Sequence, residues 1–395
     1  MIGVPDLLTI DEALALVLAR IRPLPDEEVA VTAAAGRVLA EDAAARVDLP
    51  PFPSSAMDGF AVRAVDTPGT LVLAGQSAAG HPAEAPLSAG QAIAISTGAV
   101  VPVGADAVVP VERTQSDGGS VHVERVALGE NVRPRGGDIT AGETVVPTGT
   151  RCGPAQLGAL AAAGLESIRC ARRPRVAVLA TGSELRRPGE PLGPGEIYES
   201  NTVMLAAQIQ RAGADAVVQG AVVDDAGAMR AALERGLGAD VLLTSGGVSV
   251  GEHDLVRGLL ADLGATEVFW RVAVKPGKPV AFSTRGSTLV FGLPGNPVSS
   301  FVGFELFVRP ALAALQGVRD PAPAFLPGRL AVPLQRNAGR DELVRARIEA
   351  GGHVYPLRGQ ESHMIARAAL ATALVLVPRG DGELPVGAEV SWLPL

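Results

Sequence analysis

The sequence predicts a multidomain protein of the α/β plus β class, and three observations support this. A chain of 395 residues exceeds what one hydrophobic core usually organises, so about two to four domains are expected. After Arg175, apolar strand-like segments alternate with helical segments, which is typical of a doubly wound parallel sheet covered on both faces. Residues 47–140 and 320–395 instead contain short β-prone segments separated by Gly and Pro. We therefore expect one α/β domain and two mostly β domains.

The chain opens with a predicted helix. Thr9 and Glu12 match a capping box, and the helical pattern that follows continues until Pro23. Helical sequence returns at 154–165, so we interpret the two helical segments as parts of one interrupted domain. The predicted boundaries are 1–46 and 141–173 for a discontinuous helical domain I, 47–140 for an inserted β-rich domain II, 174–319 for the α/β domain III and 320–395 for domain IV, a C-terminal β barrel or sandwich.

The charge balance argues against a general nucleic-acid-binding surface. The formal net charge is -8, whereas binding to a phosphate backbone requires a basic face. Any bound anion must therefore be held by a local cationic pocket.

Cysteine usage and the N-terminus indicate the compartment. Cys152 and Cys170 are the only cysteines and lie in no CxxC or metal-ligand spacing, so neither a zinc site nor a disulfide framework is expected. The N-terminal segment lacks a basic region ahead of an apolar stretch, and no run approaches roughly 18 uninterrupted apolar residues. We expect a soluble cytoplasmic protein without membrane contact.

Lysine usage points to one anion site. Of the 34 basic residues only two are lysines, Lys275 and Lys278, and both lie in the segment Lys-Pro-Gly-Lys-Pro. Lysine offers a compact point charge on a flexible stem, whereas arginine offers a planar fork. Two prolines and a glycine stiffen the backbone that presents both ammonium groups, which suits a small dianion. The alternative is that the chain is simply rich in arginine and that the position of its two lysines is due to chance.

Two further loops follow predicted strands at the sheet edge where doubly wound folds bind ligands. The segment Thr181–Leu185 can offer hydroxyls and the Glu184 carboxylate to a phosphate or its metal, although Thr-Gly-Ser is also an ordinary turn. The segment SGGVSVGEHD at 245–254 permits close backbone approach to an anion. Its Asp254 can hold Mg²⁺ or serve only as a helix N-cap.

A third loop, GLPGNPVSS at 292–300, joins an apolar strand to a helix that has Ser299 in its first turn. A tight strand-to-helix turn explains the same residues without a ligand. The chain contains no GxSxG elbow, no catalytic Cys-His context and no P-loop. The chemistry is therefore expected to depend on positioning an anion, not on covalent catalysis.

Two motifs outside the α/β region also carry polar side chains. Asp58 lies in PPFPSSAMDGFAVRA, where Asp-Gly is also a common turn pair. The segment NVRPRGGDI contains Arg133 and Arg135, which point the same way on an extended chain and can clamp a phosphate, and Asp138. A solvated charged turn is the alternative for this second motif.

Taken in order, PPFPSSAMDGFAVRA, ISTGAVVPVGADAVVPVE, NVRPRGGDI, ATGSEL, SGGVSVGEHD, KPGKPVAF and GLPGNPVSS resemble the molybdopterin molybdenumtransferase family, known as MoeA in bacteria and as the gephyrin E domain in animals. The resemblance covers nearly the whole chain. It implies four domains, with a C-terminal β barrel, and an elongated homodimer whose site lies between domain III of one subunit and domain II of the other. It also implies contact with other proteins of molybdenum cofactor biosynthesis.

The reaction implied by the resemblance inserts molybdenum from molybdate into adenylylated molybdopterin, with Mg²⁺ as cofactor and release of AMP. The residues that correspond to the family's functional positions fall into three groups. Catalytic roles are implied for Asp58, Thr97, Glu184, Asp224 and Asp254. Substrate and cofactor binding is implied for Ser245, Gly246, Gly247, Ser249, Gly251, Lys275, Lys278, Pro294, Gly295, Asn296, Ser299, Arg340 and Ser362. Metal binding is implied for Asp138, Glu184 and Asp254.

Two alternative functions are compatible with the same motifs. One is a non-catalytic pterin-binding scaffold, since the related gephyrin domain also clusters membrane receptors. The other is a nucleotide hydrolase built on the same α/β domain, which would leave the inserted β domain and the barrel unexplained.

Overall fold

The computed structural model describes residues 7–247 and 255–395. These residues form two compact units. The β-rich unit comprises Glu28–Cys170, and the α/β–barrel unit comprises the described residues up to Glu27 together with Ala171–Leu395.

Eight α-helices lie in the described residues. They are α1 Ile10–Leu18, α2 Pro154–Ala162, α3 Asn201–Arg211, α4 Ala226–Gly236, α5 Leu255–Asp262, α6 Pro297–Gly303, α7 Arg309–Leu315 and α8 Ile365–Ala368. A π-helical turn, Phe304–Val308, joins α6 to α7.

The strands up to residue 171 are β1 Asp26–Ala30, β2 Ala43–Ala44, β3 Ser54–Ser55, β4 Gly59–Val62, β5 Gly69–Ser77, β6 Gln91–Ile95, β7 Ala107–Pro110, β8 Thr114–Ser116, β9 Ser120–Val123, β10 Val132–Arg133, β11 Thr144–Val146 and β12 Ser167–Ala171. The strands of the α/β region are β13 Arg175–Thr181, β14 Leu185–Arg186, β15 Ile197–Tyr198, β16 Asp215–Val222, β17 Val241–Ser245, β18 Thr266–Trp270, β19 Val274–Lys275, β20 Ala281–Arg285 and β21 Thr288–Leu293. The C-terminal strands are β22 Leu326–Leu330, β23 Leu334–Gln335, β24 Asp341–Glu349, β25 His353–Pro356, β26 Ala373–Val377, β27 Glu383–Leu384 and β28 Glu389–Pro394.

The β-rich unit is built on a six-stranded sheet in the order β7-β4-β6-β5-β9-β8. Its core contains small and branched apolar side chains, among them Val62, Val109 and Val121, which are fully buried. A second apolar cluster lies under helix α2, which Gly153 and Pro154 begin as the sequence pattern indicates. The prediction of a mostly β segment is confirmed.

The N-terminal helix forms as its capping box predicts. The Thr9 hydroxyl accepts a hydrogen bond from the Glu12 backbone N–H, and the Glu12 carboxylate accepts one from the Thr9 N–H. Its buried face, which includes Leu14 and Val17, belongs to the same apolar cluster as Phe304 and Leu312. Helix α1 is therefore held by packing against the core of the α/β–barrel unit.

The central sheet of this unit has the order β16-β13-β17-β21-β20-β18. The first four strands are parallel, as the alternating pattern predicts. Strand β20 runs antiparallel to both of its neighbours, β21 and β18, so the sheet is mixed and not wholly parallel. The physical reason is the two-residue connection Gly286–Ser287 between β20 and β21, which is too short for a crossover and can only make a hairpin.

Helices cover both faces of the parallel part of the sheet. One face packs against α3 and α6, and the other against α4 and α5. The carboxyl ends of β13, β17 and β21 lie side by side at one edge, because these strands are parallel neighbours. The loops that follow them are thereby brought together, which is the arrangement expected of a binding site in this fold class.

The C-terminal segment forms a closed β barrel. Strands β24, β25, β22, β28 and β26 are hydrogen-bonded in sequence, and pairing between β24 and β26 closes the ring. The short strand β19 from the α/β region adds to this sheet by pairing in parallel with the start of β24. The expectation of a barrel or sandwich is thus resolved in favour of the barrel.

Among the described residues, the helical stretch Pro297–Leu315 is long and apolar enough to cross a membrane by length and composition. Of its apolar 18-residue segment, 78% is buried inside the fold. It includes α6 and α7 and supplies much of the core of the α/β–barrel unit. This degree of burial is characteristic of the core helix of a globular protein.

Gly59 provides a test of the packing around Asp58. A Cβ atom at this position would lie 2.0 Å from the Val109 carbonyl oxygen on a neighbouring strand. We expect Gly59→Ala to lower the free energy of unfolding by about 1–3 kcal/mol, because backbone must move to relieve the overlap.

Gly158 on helix α2 is the matched control, since a Cβ atom added there would have no neighbouring atom within 4 Å. Gly158→Ala should raise the free energy of unfolding by about 0.5–1 kcal/mol through helix propensity. Urea denaturation measures both variants. Equal and small changes at the two positions would contradict the packing described here.

Candidate functional site

A cleft of about 600 Å³ lies at the carboxyl edge of the parallel strands. It is bordered by the loops after β13, β17 and β21 and by residues from the barrel. The lining residues include Thr181, Glu184, Asn201, Ser245, Gly247, Pro279, Pro294, Gly295, Asn296 and His363. The cleft therefore brings together the strand-end loops that the sequence identified separately.

A buried hydroxyl and amide network fixes the floor of the cleft. The Ser245 Oγ accepts a hydrogen bond from the Asn201 Nδ2 at 2.8 Å, and the same nitrogen donates to the Gly295 carbonyl at 2.7 Å. The Ser300 hydroxyl donates to the Pro294 carbonyl at 2.7 Å. These bonds lock the loop after β17 against the loop after β21.

The two glycines after Ser245 are required by space and by backbone conformation. Gly246 and Gly247 have φ values of +93° and +67°. A Cβ at Gly246 would meet the Thr181 Oγ1 at 2.7 Å, and one at Gly247 would meet a Val256 methyl at 2.4 Å. The backbone of this loop can approach a ligand only because both positions lack side chains.

Asn201 offers an unused acceptor to the cleft. Its Oδ1 is buried and has no hydrogen-bond partner among the described residues. The amide orientation is set because Nδ2 must face the Gly295 carbonyl. A buried acceptor without a donor is costly, so a ligand N–H or O–H at this position would be stabilised.

One acidic side chain lines the cleft and a second lies next to the same loop. Glu184 is exposed and lines it, and its carboxylate lies over Gly182. The neighbouring Asp224 carboxylate accepts hydrogen bonds from the Ser183 backbone N–H at 3.2 Å and hydroxyl at 3.1 Å. The loops after β13 and β16 thus present two carboxylates within adjoining turns.

The segment Lys275–Lys278, called the lysine turn below, is held between the α/β domain and the barrel. Val274 and Lys275 pair with Asp341 and Glu342 at the start of barrel strand β24. The Lys275 Nζ lies 3.0 Å from the Glu342 Oε1, and the two side chains are 43% and 11% exposed. Lys275 and Glu342 are therefore paired both through their backbones and through their side chains, and this fixes the direction of the ammonium group.

The same turn lies against helix α6. A Cβ at Gly277 would be 3.5 Å from the Ser299 carbonyl oxygen, and Pro279 lines the cleft directly after Lys278. Ser299 itself is 4% exposed. The structure therefore brings the Lys275–Lys278 segment and Ser299 together next to Pro279, which is the residue of this segment's neighbourhood that lines the cleft.

Ser362 of the barrel contacts Asn296, which lines the cleft. Its hydroxyl accepts a hydrogen bond from the Asn296 Nδ2 at 2.9 Å, and its carbonyl accepts one from the Val298 N–H at 3.0 Å. Arg340 lies immediately before β24, where the Asn337 carboxamide caps its backbone N–H at 3.0 Å. Both residues predicted from the C-terminal segment thus flank contacts between the barrel and the α/β domain.

In the β-rich unit the structure brings Asp58 and Thr97 together. The Asp58 Oδ1 accepts a hydrogen bond from the Thr97 backbone N–H at 2.7 Å. The two loops are also tied by the Ser55 carbonyl, which accepts from the Gly98 N–H at 2.8 Å. The carboxylate is thereby oriented by backbone and remains exposed.

Asp138 lies in a different loop of the β-rich unit. It is exposed, and its backbone N–H donates to the Leu49 carbonyl at 2.9 Å. Nearby, Asp48 is paired with Arg135 and also accepts from the Ala141 N–H. The backbone hydrogen bond and then the Arg135 guanidinium lower the pKa of Asp48. The Arg135 guanidinium, which the sequence offered as a phosphate ligand, is therefore paired with the Asp48 carboxylate.

Ser249, Gly251 and Asp254 lie outside the described residues. In the ranges 7–247 and 255–395, no group of three or more His, Cys, Asp or Glu side chains is arranged to hold a metal ion. The predicted metal role of Asp138, Glu184 and Asp254 stays a prediction.

Three family models match consecutive parts of this chain. The MoeA N-terminal region (domain I and II) matches residues 8–164, the probable molybdopterin binding domain matches 177–314, and the MoeA C-terminal region (domain IV) matches 327–395. The chain belongs to the MoeA family. The resemblance inferred from the motifs is confirmed.

Individual relatives agree over nearly full length. Molybdopterin molybdenumtransferase 2 of Mycobacterium tuberculosis is 38% identical over 92% of this chain and 93% of its own. The molybdopterin molybdenumtransferase of Haemophilus influenzae is 33% identical over 98% of both chains. A crystal structure of the molybdopterin biosynthesis MoeA protein from Pyrococcus horikoshii OT3 superposes with a TM-score of 0.86 at 29% identity, covering 99% of this chain and 100% of that one.

Sequence reasoning missed three residues of the site, Asn201, Glu342 and His363. Asn201 is the first residue of helix α3, and a helix start of this kind can be recognised from the sequence. The sequence does not show that the Asn201 Oδ1 lacks a hydrogen-bond partner among the described residues, because that depends on the folded chain. Glu342 lies in a strand that mixes charged and apolar residues, so the sequence pattern does not distinguish it as a buried, paired carboxylate. Nothing in the sequence around His363 places it in the cleft.

The ion pair between Lys275 and Glu342 is tested by a double-mutant cycle. Lys275→Met leaves a nearly buried carboxylate without its cation, so we expect a loss of about 1 kcal/mol in the free energy of unfolding, reduced from the fully buried case because Lys275 is partly exposed. In a Glu342→Gln background the same substitution should cost less, giving a coupling energy of about 0.5–1 kcal/mol by urea denaturation.

The control is the exposed pair Arg329–Glu389, whose atoms lie 2.7 Å apart with 61% and 78% exposure. The corresponding cycle with Arg329→Met and Glu389→Gln should give a smaller coupling energy. Equal coupling in the two cycles would show that the Lys275 pair has no special structural role.

Proposed function

We propose that this protein is a molybdopterin molybdenumtransferase, which inserts molybdenum from molybdate into adenylylated molybdopterin and releases AMP. One observation carries the proposal. The segment with the only two lysines lies between the α/β cleft and the barrel, beside Ser299 and near the loop of Ser362. The names of the MoeA relatives support the same substrates.

The residue types suit molybdate as a substrate. Molybdate is a small dianion with four oxygens, so it accepts hydrogen bonds from ammonium, guanidinium and hydroxyl groups. Lys275, Lys278, Ser299, Arg340 and Ser362 supply such donors, and each charge-assisted bond contributes roughly 1.5–3 kcal/mol. Glu342 holds the Lys275 ammonium in place before the anion binds.

The cleft suits a pterin. A volume of about 600 Å³ accommodates a ligand of that size, and the loops after β17 and β21 approach through glycine. The Asn201 Oδ1, which has no partner among residues 7–247 and 255–395, would accept a hydrogen bond from a ring N–H or an amino group. In this role Asn201 orients the pterin, while Ser245 and Ser300 keep the surrounding loops rigid.

The donor chemistry at the acidic border fits Mg²⁺. Glu184 and Asp224 offer carboxylate oxygens from adjoining loops, and Mg²⁺ is usually held by one or two carboxylates together with water and phosphate oxygens. When bound, Mg²⁺ would neutralise the phosphate charge of the adenylylated substrate. The Glu184 and Asp224 carboxylates would disfavour molybdate at this border, because like charges repel. The Glu342 carboxylate beside Lys275 differs from them in that it is paired with an ammonium group.

The catalytic contribution of the chain is accordingly positioning. The lysine turn would bind the oxyanion and the cleft would bind the pterin, so that the two substrates are held next to each other. Asp58 and Thr97 form a second polar pair on the β-rich unit that would act on substrate in the assembled protein. No specific observation favours the scaffold or the nucleotide hydrolase.

The remaining parts of this assignment concern assembly and organisation. We assign domain I to 1–46 and 141–173, domain II to 47–140, domain III to 174–319 and domain IV to 320–395. The family-model ranges support the boundaries near 173 and 319, and the division between domains I and II rests on the sequence pattern. The protein would act in the cytoplasm, with other proteins of molybdenum cofactor biosynthesis as partners.

A homodimer is the expected assembly, and strand β16 supports it. In the part of the chain that the structure describes, β16 is paired on one side only. Val218 on this strand is 49% exposed, Val203 of α3 is 63% exposed, and both line the same surface hollow. An apolar surface beside an open strand edge is usually covered by another chain.

The transferase assignment is tested by AMP release. Purified protein supplied with adenylylated molybdopterin, Mg²⁺ and molybdate should release AMP in a molybdate-dependent manner. An intact dimer that releases none would contradict the assignment, and binding without turnover would support a scaffold. Hydrolysis of ADP-ribose or nicotinamide mononucleotide would support the hydrolase.

The role of the lysines is tested by conservative replacement. Lys275→Arg and Lys278→Arg keep the charge but change its shape, so we expect the KM for molybdate to rise about tenfold in each variant. The KM for adenylylated molybdopterin and the thermal unfolding temperature are the internal controls and should change little. An unchanged molybdate KM in both variants would contradict the assigned role.

The dimer surface is tested by introducing charge. Val203→Glu with Val218→Glu should shift the protein from dimer to monomer in analytical ultracentrifugation, because carboxylates would be buried at the interface. Val386→Glu on the barrel, where the valine is 63% exposed, is the matched control and should leave the mass unchanged. A dimer that survives the double substitution would place the interface elsewhere.

A further inference from the structure

A second cavity lies on the other face of the central sheet. It is a groove of about 450 Å³ between helix α5 and strands β18 and β20. None of the residues that line this groove lines the cleft. Ser245 lines the cleft, whereas the preceding residue Thr244 lines the groove, because successive side chains of a strand point to opposite faces. The groove is therefore a cavity distinct from the cleft.

Small residues form the floor of the groove. Thr244, Gly292 and Ala281 are paired across strands β17, β21 and β20. Gly292 has no side chain and Ala281 has only a methyl group, so little side-chain volume rises from this row of the sheet. The apolar cluster that packs α4 and α5 on this face reaches β21 but includes no residue of β18 or β20. The groove lies where that helical cover ends.

Thr244 presents an unpaired hydroxyl at this floor. The residue is fully buried, and its Oγ1 has no hydrogen-bond partner among the described residues. Thr288 on β21 is also buried, but its hydroxyl donates to the carbonyls of Leu237 at 3.2 Å and Ala239 at 3.1 Å. A buried hydroxyl without a partner costs free energy, so a ligand that bonds to Thr244 would be stabilised.

An ion pair joins the two walls of the groove. Arg257 of α5 donates to the Glu267 carboxylate of β18 through Nε and Nη2, both at 2.9 Å. The Arg257 guanidinium also lies 4.1 Å from the centroid of the Trp270 ring. Of the residues that line the groove, these two are the charged ones, and each neutralises the other. An ionised ligand would lose its hydration here without gaining a partner of opposite charge.

The rest of the lining is apolar apart from one further hydroxyl. Ser283 on β20 is 8% exposed and lines the groove. The apolar walls are formed by Val256, Leu260, Ala261, Ala265 and Val290. Sites for small organic ligands usually measure about 300–1,000 Å³ and combine apolar walls with a few polar groups. The groove matches this description in both volume and chemistry.

We infer that the groove is a second ligand site, which takes an uncharged ring compound whose hydroxyl or amino group bonds to Thr244. The inference does not rest on the transferase assignment. Val256 connects the two cavities, because it lines the groove and its methyl group lies where a Cβ at Gly247 of the cleft would meet it at 2.4 Å. A ligand in the groove would therefore contact a residue that supports the cleft loop.

The test uses 2-naphthol as the probe and NMR titration of the full-length protein as the measurement. This probe is neutral at pH 7 and carries one hydroxyl on an apolar double ring. We expect saturable binding with a dissociation constant of about 1 mM or tighter. Thr244→Val keeps the shape of the side chain and removes the hydroxyl, so it should weaken binding about fivefold.

Thr288→Val is the matched control. It removes a buried hydroxyl from the neighbouring strand, but that hydroxyl is already bonded to two carbonyls and does not line the groove. It should leave the affinity for 2-naphthol unchanged and lower the thermal unfolding temperature. Thr244→Val should not lower this temperature in the absence of the probe, because it removes an unpaired buried group.

Two further measurements test the place and the charge preference of the site. Ala261→Leu adds volume at an exposed position of α5 that lines the groove, so it should abolish binding of 2-naphthol. This variant keeps the test decisive if Thr244→Val folds poorly. The carboxylate 2-naphthoate should bind at least tenfold more weakly than 2-naphthol, because the groove offers it no unpaired cation.

The inference is overturned if 2-naphthol shows no saturable binding in the millimolar range. It is also overturned if Thr244→Val and Thr288→Val bind the probe as tightly as the unaltered protein, or if Ala261→Leu does. Binding of 2-naphthoate as tight as that of 2-naphthol would contradict the uncharged class of ligand. Absence of AMP release would overturn the proposed function and leave this inference unaffected.

Discussion

The pairing of Val274–Lys275 with Asp341–Glu342 is the contact on which the candidate site depends. It adds a short strand of the α/β domain to the sheet of the barrel, and the ion pair between Lys275 and Glu342 reinforces it. Two backbone strands in register are far stiffer than a surface loop, so the ammonium group acquires a defined direction. The contacts of Ser362 with Asn296 and Val298 hold the other border of the same junction. The site is therefore a product of two domains.

This arrangement explains how an acidic protein can bind a dianion. A net charge of -8 would repel molybdate at long range, so binding requires a small region in which cations and hydroxyls dominate. We propose that the lysine turn, Ser299 and Ser362 provide that region, while Glu184 lines the cleft elsewhere and Asp224 contacts the adjoining Ser183. In the proposed function, the separation of the two kinds of charge would give each substrate a distinct place. Positioning then follows from a rigid sheet whose loops are fixed by Asn201, Ser245 and Ser300.

Local features were predictable from the sequence, and long-range pairings were not. The capping box at Thr9 and the four parallel strands follow from residue patterns that act over a few positions. The antiparallel strand β20 was missed, although Gly286–Ser287 between two strand-like segments is a hairpin signal. Glu342 could not be assigned, because its partner Lys275 is brought to it only by strand pairing in the folded chain.

The central claim is that the junction between Lys275 and the barrel binds molybdate. Anomalous diffraction from crystals soaked in molybdate tests this most directly, since molybdenum can be located without reference to activity. The account predicts one ordered molybdenum whose oxygens lie about 2.7–2.9 Å from the Nζ atoms of Lys275 and Lys278 and next to Ser299 and Ser362. Ordered molybdenum elsewhere in the cleft, with none beside the two lysines, would contradict it.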